Sequence, residues 1–210
     1  IEYAKADEQD ILIKVTVENR SKVMAPITVL PTIWFRNTWS WGYENYKHKP
    51  TLIGVEKSHI EVNHRLVGHF NLYAENAKDL LFCDNKTNFE KLYKSPAQST
   101  YAKDGINDYI INHKRTSVNP DAIGTKASVH YDDFIPPLGK KEYRLRFTNT
   151  APDKPFEDFD AIFKQRIEEA DEFYAPLQKG VKDEKLKSIQ RQAYAGMLWT
   201  KQWYYYNVFE

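Results

Sequence analysis

The hydrophobic pattern of this chain changes period once, at the stretch NTAPDKP, residues 149–155. Before it, apolar side chains alternate with polar ones in short runs; after it, they recur every three or four residues. Successive side chains of a strand point to opposite faces, whereas a helix returns to one face after three or four residues, so the two parts need different element types. In ILIKVTVE, residues 11–18, Ile13, Val15 and Val17 fall on one face and Lys14, Thr16 and Glu18 on the other, the pattern of a half-buried strand. The turn NRSK follows, and APITVLPTIWF resumes β-branched character, with Pro26 and Pro31 discouraging helix. Further strands are predicted at TLIGV, SHIEVN, RLVGHFNLYAE, DLLFCDN, DYIIN, KASVHYDDF and EYRLRFTN, with polar residues 85–105 as loop. Short strands at close spacing with turn residues between them predict an antiparallel sandwich.

Beyond the linker, Phe156, Phe159, Phe163, Ile167, Ala170, Phe173 and Tyr174 form one helical stripe. Glu157, Asp158 and Asp160 lie where the helix dipole favours acids, and Pro176 and Gly180 mark the end. Asp183 is the expected N-cap of a second helix running from about Glu184, with Leu186, Ile189, Ala193 and Leu198 as its apolar bulk. The predicted fold class is therefore mainly β with C-terminal helices. The expected domains are a partial β-sandwich over 1–150, a linker helix over 151–180 and the start of a helical domain over 181–210. Phe156, Phe159, Phe163 and Phe173 are expected to be buried. The start without methionine and the end at WYYYNVFE suggest an internal fragment of a longer protein.

Composition removes several classes of function. Lys and Arg number 30 against 29 Asp and Glu, so the basic stripe of a nucleic-acid binder is not expected. No apolar run is long enough for a transmembrane helix, and no signal peptide stands at the front, so no membrane partner is expected. The single cysteine, Cys83, rules out a disulfide within the chain and argues against a cysteine zinc site; a cytoplasmic location fits. His59, His64 and His69 recur every five residues, a spacing that converges on one metal from neither strand nor helix, so no metal and no cofactor are expected. Asp104 and Asp108 in KDGINDY are a carboxylate pair, but beside Gly105 and Asn107 they fit turns better than acid–base chemistry. Asn19 and Asn85 begin glycosylation-type triplets with no secretion signal to support them.

Aromatic residues make up 14% of the chain. Sugar-handling surfaces show such enrichment, and so do large sandwich cores. Two clusters stand out. In PTIWFRNTWSWG, residues 31–35 are expected to be strand, with Trp34 and Phe35 in the core. Residues 36–42 are expected to be its exit loop, with Arg36, Trp39 and Trp41 at an interface or a pocket rim. In GMLWTKQWYYYNVFE a helix would align Trp199, Trp203 and Tyr206, with Gln202 beside them. Rings for stacking and Gln202 for hydrogen bonding suit a sugar subsite; packing against another part of the protein suits them equally.

The segments EYAKADEQDILIKVTVENR, LPTIWFRNTWSWG, YAKDGINDYIIN, VNPDAIGTKASVHY, PFEDFDAIFKQRIEEADEFY and RQAYAGMLWTKQWYYYNV together resemble a bacterial family of glycosidases. It is the glycoside hydrolase family 63-like group, related to the mannosylglycerate hydrolase-like enzymes, and the resemblance covers nearly the whole chain. It implies a β-supersandwich joined by a linker helix to a catalytic (α/α)6 barrel, of which this chain would hold only the first helix. It implies inverting hydrolysis of glucosides or related α-linked sugars by an acid and a base carboxylate. These would lie in the barrel, so no catalytic residue is expected within these 210 residues. On that view Gln202, Trp203, Tyr204, Tyr205 and Tyr206 are candidate sugar contacts, with Arg36, Trp39 and Trp41 at the rim. The chain alone would be inactive and could self-associate through its aromatic C-terminal helix. The alternative is a non-catalytic carbohydrate-binding or scaffolding sandwich.

Overall fold

The structure, a computed structural model, describes residues 1–44 and 47–200, with Trp199 described by its backbone alone. It divides into two compact units, Ile1–Ile162 and Phe163 onward.

The first unit is mainly β. Its strands are β1 (Glu2–Asp7), β2 (Asp10–Glu18), β3 (Ala25–Val29), β4 (Thr32–Trp34), β5 (Thr51–Glu56) and β6 (His59–His64). They continue with β7 (Gly68–Ala74), β8 (Asp79–Cys83), β9 (Ile123–Gly124), β10 (Lys126–Ile135) and β11 (Lys140–Thr148). A seven-stranded antiparallel sheet runs β1-β2-β11-β7-β6-β5-β9, and a second gathers β3, β4 and β8 around β10. Register sets the two faces of the first sheet. Ile13 pairs with Leu145 and Val15 with Tyr143, and these face the core; Leu12 pairs with Arg146 and Lys14 with Arg144 on the opposite face. Leu52, Ile60, Val62 and Leu72 from the first sheet meet Phe82, Ala127, Val129 and Tyr131 from the second in one buried cluster. The alternating apolar runs thus make a sandwich by burying their apolar faces against each other.

The linker docks on part of the outer face of the seven-stranded sheet, at Asn71, Arg144 and Arg146. Arg146 in β11 is buried and donates from Nε and Nη2 to both carboxylate oxygens of Asp10, at 2.9 and 2.6 Å. Its Nη1 donates to Asp158 at 2.7 Å and to the Pro155 carbonyl at 2.9 Å. Asp10 raises the guanidinium pKa further, with Asp158 adding to it. Next to it, Arg144 bonds Asp160 at 2.9 Å and lies over the Phe159 ring at 5.0 Å. Phe159 is fully buried, which stabilises the docked linker by about 1.5–3 kcal/mol.

The helices differ from expectation in places. DYIIN is not a strand: Gly105–Ile111 forms helix α2, and a shorter helix, α1 (Phe89–Tyr93), interrupts the expected loop. Gly105 explains part of this, because a Cβ there would sit 2.1 Å from the Ser117 carbonyl oxygen, so the chain can turn into a helix against that segment only as glycine. In β4 the alternation puts Ile33 and Phe35 on the core, which turns Trp34 outward; it is 58% exposed and not a core residue.

The second unit holds most of α3 (Phe159–Leu177) and all of α4 (Glu184–Trp199). Asp183 caps α4 as expected, accepting from the Lys185 amide at 2.8 Å. The two helices meet through Arg191, which bonds Asp171 at 2.6 Å and lies over Tyr174, itself stacked on Tyr194. Gln178 donates to the Lys187 carbonyl at 2.8 Å. The contact therefore follows Asp171, Tyr174 and Gln178, spaced three and four apart. Phe163 is buried, but Phe173 lies off that line and is 63% exposed, against expectation.

Candidate functional site

The loop after β4 is a compact turn. The Thr38 amide donates to the Arg36 carbonyl at 2.8 Å, and the Trp41 amide to the Thr38 carbonyl at 3.1 Å. Ser40 bonds the Asn37 side chain at 2.8 Å, and the Arg36 guanidinium lies 4.8 Å from the Trp41 ring centroid. Arg36 and Trp41 are exposed, whereas Trp39 is half-buried, with its Nε1 enclosed and unbonded among the described residues. The turn thus presents one cation and one indole together. The other predicted contacts, Gln202, Trp203, Tyr204, Tyr205 and Tyr206, lie outside the described residues.

The carboxylate pair is tied up. Asp104 accepts from Lys91 Nζ at 3.1 Å and from Asn88 Nδ2 at 3.2 Å, and Lys91 also reaches Asp108 at 3.6 Å. Burial opposes ionisation of Asp104, but the bonds from Lys91 and Asn88 outweigh it and hold its carboxyl below the usual range. Such a group is a fixed anion joining α1 to α2. The three histidines are engaged separately: His59 with Asn71 at 2.8 Å, His69 with Asn63 at 2.8 Å, and His64 Nδ1 with the Leu66 and Val67 amides at 3.2 Å. Among the described residues no three His, Cys, Asp or Glu side chains gather as metal ligands. Asn19 is buried, and its amide donates to the carbonyls of Val23, Ile135 and Pro136, so it pins a turn to the β10–β11 connection. Asn85 donates to the Phe35 carbonyl at 2.8 Å.

Sequence reasoning missed a cleft of about 200 Å3 between α2, the segment that follows it, and strands β3, β8 and β10. His130 in β10 is buried, and its Nδ1 has no hydrogen-bond partner among the described residues; Asp79 Oδ2 stands 3.7 Å away, beyond hydrogen-bond reach. Burial, and then the charge of Lys78, pushes the His130 pKa down. Lys78 bonds Asp132 at 2.7 Å across the cleft wall, and that bond draws the Asp132 carboxyl below its ordinary range. Tyr109 stands edge-on to His130 at 6.3 Å and accepts a hydrogen bond from Arg115 at 3.3 Å. These residues are scattered from position 28 to 132, and the pairings of Asp79 with His130 across β8 and β10 and of Thr28 with Asp132 across β3 and β10 bring the strand segments together.

No family model matches the chain. It is similar to the uncharacterized protein YMR196W of Saccharomyces cerevisiae, at 33% identity over 243 residues. That match covers 97% of this chain and 22% of the yeast protein, so the chain spans less than a quarter of the curated relative it matches.

Proposed function

We propose that this chain is the sandwich, linker and first-helix portion of a larger inverting glycoside hydrolase acting on glucosides or related α-linked sugars. In this reading its task is to support a helical catalytic domain and to lend side chains to the mouth of that domain's pocket. The observation that carries the scaffold role is the Arg146 clamp, which fixes the linker onto the outer sheet face just where strands give way to helices. The commitment of Asp104 and Asp108 to Lys91 agrees with it, since inversion needs a free acid and base about 6.5–9.5 Å apart. The sugar class comes from the sequence resemblance. Arg36, Trp39 and Trp41, together with Gln202, Trp203, Tyr204, Tyr205 and Tyr206, are the proposed substrate contacts, with no cofactor and a cytoplasmic setting. No helix among the described residues is long and apolar enough to cross a membrane.

The test is to assay the full-length protein and the 210-residue chain against a panel of α-linked disaccharides, following the anomer released by NMR. We expect turnover with inversion by the full-length protein alone. Sugar binding without turnover by the full-length protein would favour a non-catalytic carbohydrate-binding sandwich instead. Turnover by the 210-residue chain that is lost in Asp104→Asn would overturn the scaffold role.

A further inference from the structure

We propose that the cleft between α2 and strands β8 and β10 binds a small, neutral, polyhydroxylated molecule about one ring in size. The proposal rests on the cleft alone and holds whether or not the longer protein is a glycosidase.

Charge narrows the ligand first. Lys78 and Arg115 bring two positive charges to the cleft, and Asp79 and Asp132 bring two negative ones. An anion would meet two carboxylates and a cation two basic groups, so neither gains net Coulomb attraction. A hydroxyl is one donor and two acceptors, which suits a wall offering both carboxylates and guanidinium N–H groups. The volume narrows it again: about 200 Å3 is below the range of pockets that take drug-sized molecules.

One feature points to a ligand as distinct from an ordinary surface dip: the unpartnered Nδ1 of His130, on a side chain 93% buried, since buried polar atoms in folded proteins are almost always bonded. A hydroxyl bridging to Asp79 would satisfy it. His113, just past the Asn112 cap of α2, also lines the cleft. Tyr109 and Ile110 add the apolar surface that the C–H face of a ring would meet.

The experiment titrates the 210-residue chain with glucose and with myo-inositol while the His130 ring resonances are followed by 15N-edited NMR. Glucuronate and glucosamine serve as charged controls. We expect saturable movement of the His130 signals with at least one neutral probe and weaker binding of both charged ones. Arg115 is exposed, so Arg115→Ala should fold normally and weaken binding about tenfold, as expected for one charge-assisted hydrogen bond. No response of His130 to either neutral probe would overturn the proposal. So would tighter binding of a charged analogue, or unchanged affinity in a folded Arg115→Ala variant.

Discussion

Two places in the first unit solve the same problem, one cation set between two aspartates, in opposite surroundings. Arg146 between Asp10 and Asp158 is 9% exposed at its side chain, while Lys91 between Asp104 and Asp108 is 56% exposed. The buried cation has a planar fork that meets Asp10 with two parallel bonds; the exposed one is a point charge on a mobile stem. Water screens the second far more than the first. Charge count therefore says little here: the linker, rather than the α1–α2 corner, is where ionic contacts hold the fold.

Removing the buried cation should break the comparison most visibly. Arg146→Met leaves Asp10 enclosed without a partner and should cost about 3–5 kcal/mol in urea unfolding. Adding Asp10→Leu should recover much of that loss, because the double variant buries no orphan charge. If Arg146→Met unfolds at the wild-type midpoint, the clamp is ornamental.

A second expectation extends the contrast to groups that stay neutral. Burial pushes the Cys83 thiol up to about 12 from 9.0. A folded pKa raised this way gives stability that is complete below pH 9 and declines as pH rises toward 12, because only the unfolded chain ionises there. At one unit above 9.0 the loss from this group is on the order of 1 kcal/mol. Tyr131 and Tyr143, also raised by burial, contribute in the same alkaline range. Cys83→Ala should therefore flatten part of the decline between pH 8 and pH 10, as read from unfolding midpoints; an identical slope would place the thiol in contact with water.

The smallest effect belongs to the exposed cluster. Lys91→Met should leave the melting temperature within error and should respond little to added salt. A clear drop would mean that the α1–α2 corner relies on Lys91 as the linker relies on Arg146.

Much of the sandwich was legible because β2, β10 and β11 carry apolar residues at alternate positions, a pattern that needs no partner to be read. The misreadings have specific causes. Tyr109, Ile110 and Ile111 have strand-like side chains, but Gly105 at the start of the segment lets a helix pack close to Ser117. The expectation that Trp34 lies in the core fails because its alternate neighbours Ile33 and Phe35 take the core face. The cleft was illegible for another reason: Lys78, Tyr109 and His130 come from three separate segments, and no local pattern in one sequence announces that they will meet.

Strand β10 sits at the centre of its sheet, with β4 and β8 along one half and β3 along the other, and β11 closes the larger sheet onto β2. Both closing strands come late: Asp10 waits for Arg146 across 136 residues. During synthesis, at 5–20 residues per second, β2 therefore spends roughly ten seconds without its main neighbour. For that interval the unpaired edge of β2 is open to wrong pairing, as for shorter times are the edges of β3, β4 and β8 that await β10. A topology so rich in distant contacts folds slowly, and its closing step waits on β10 and β11.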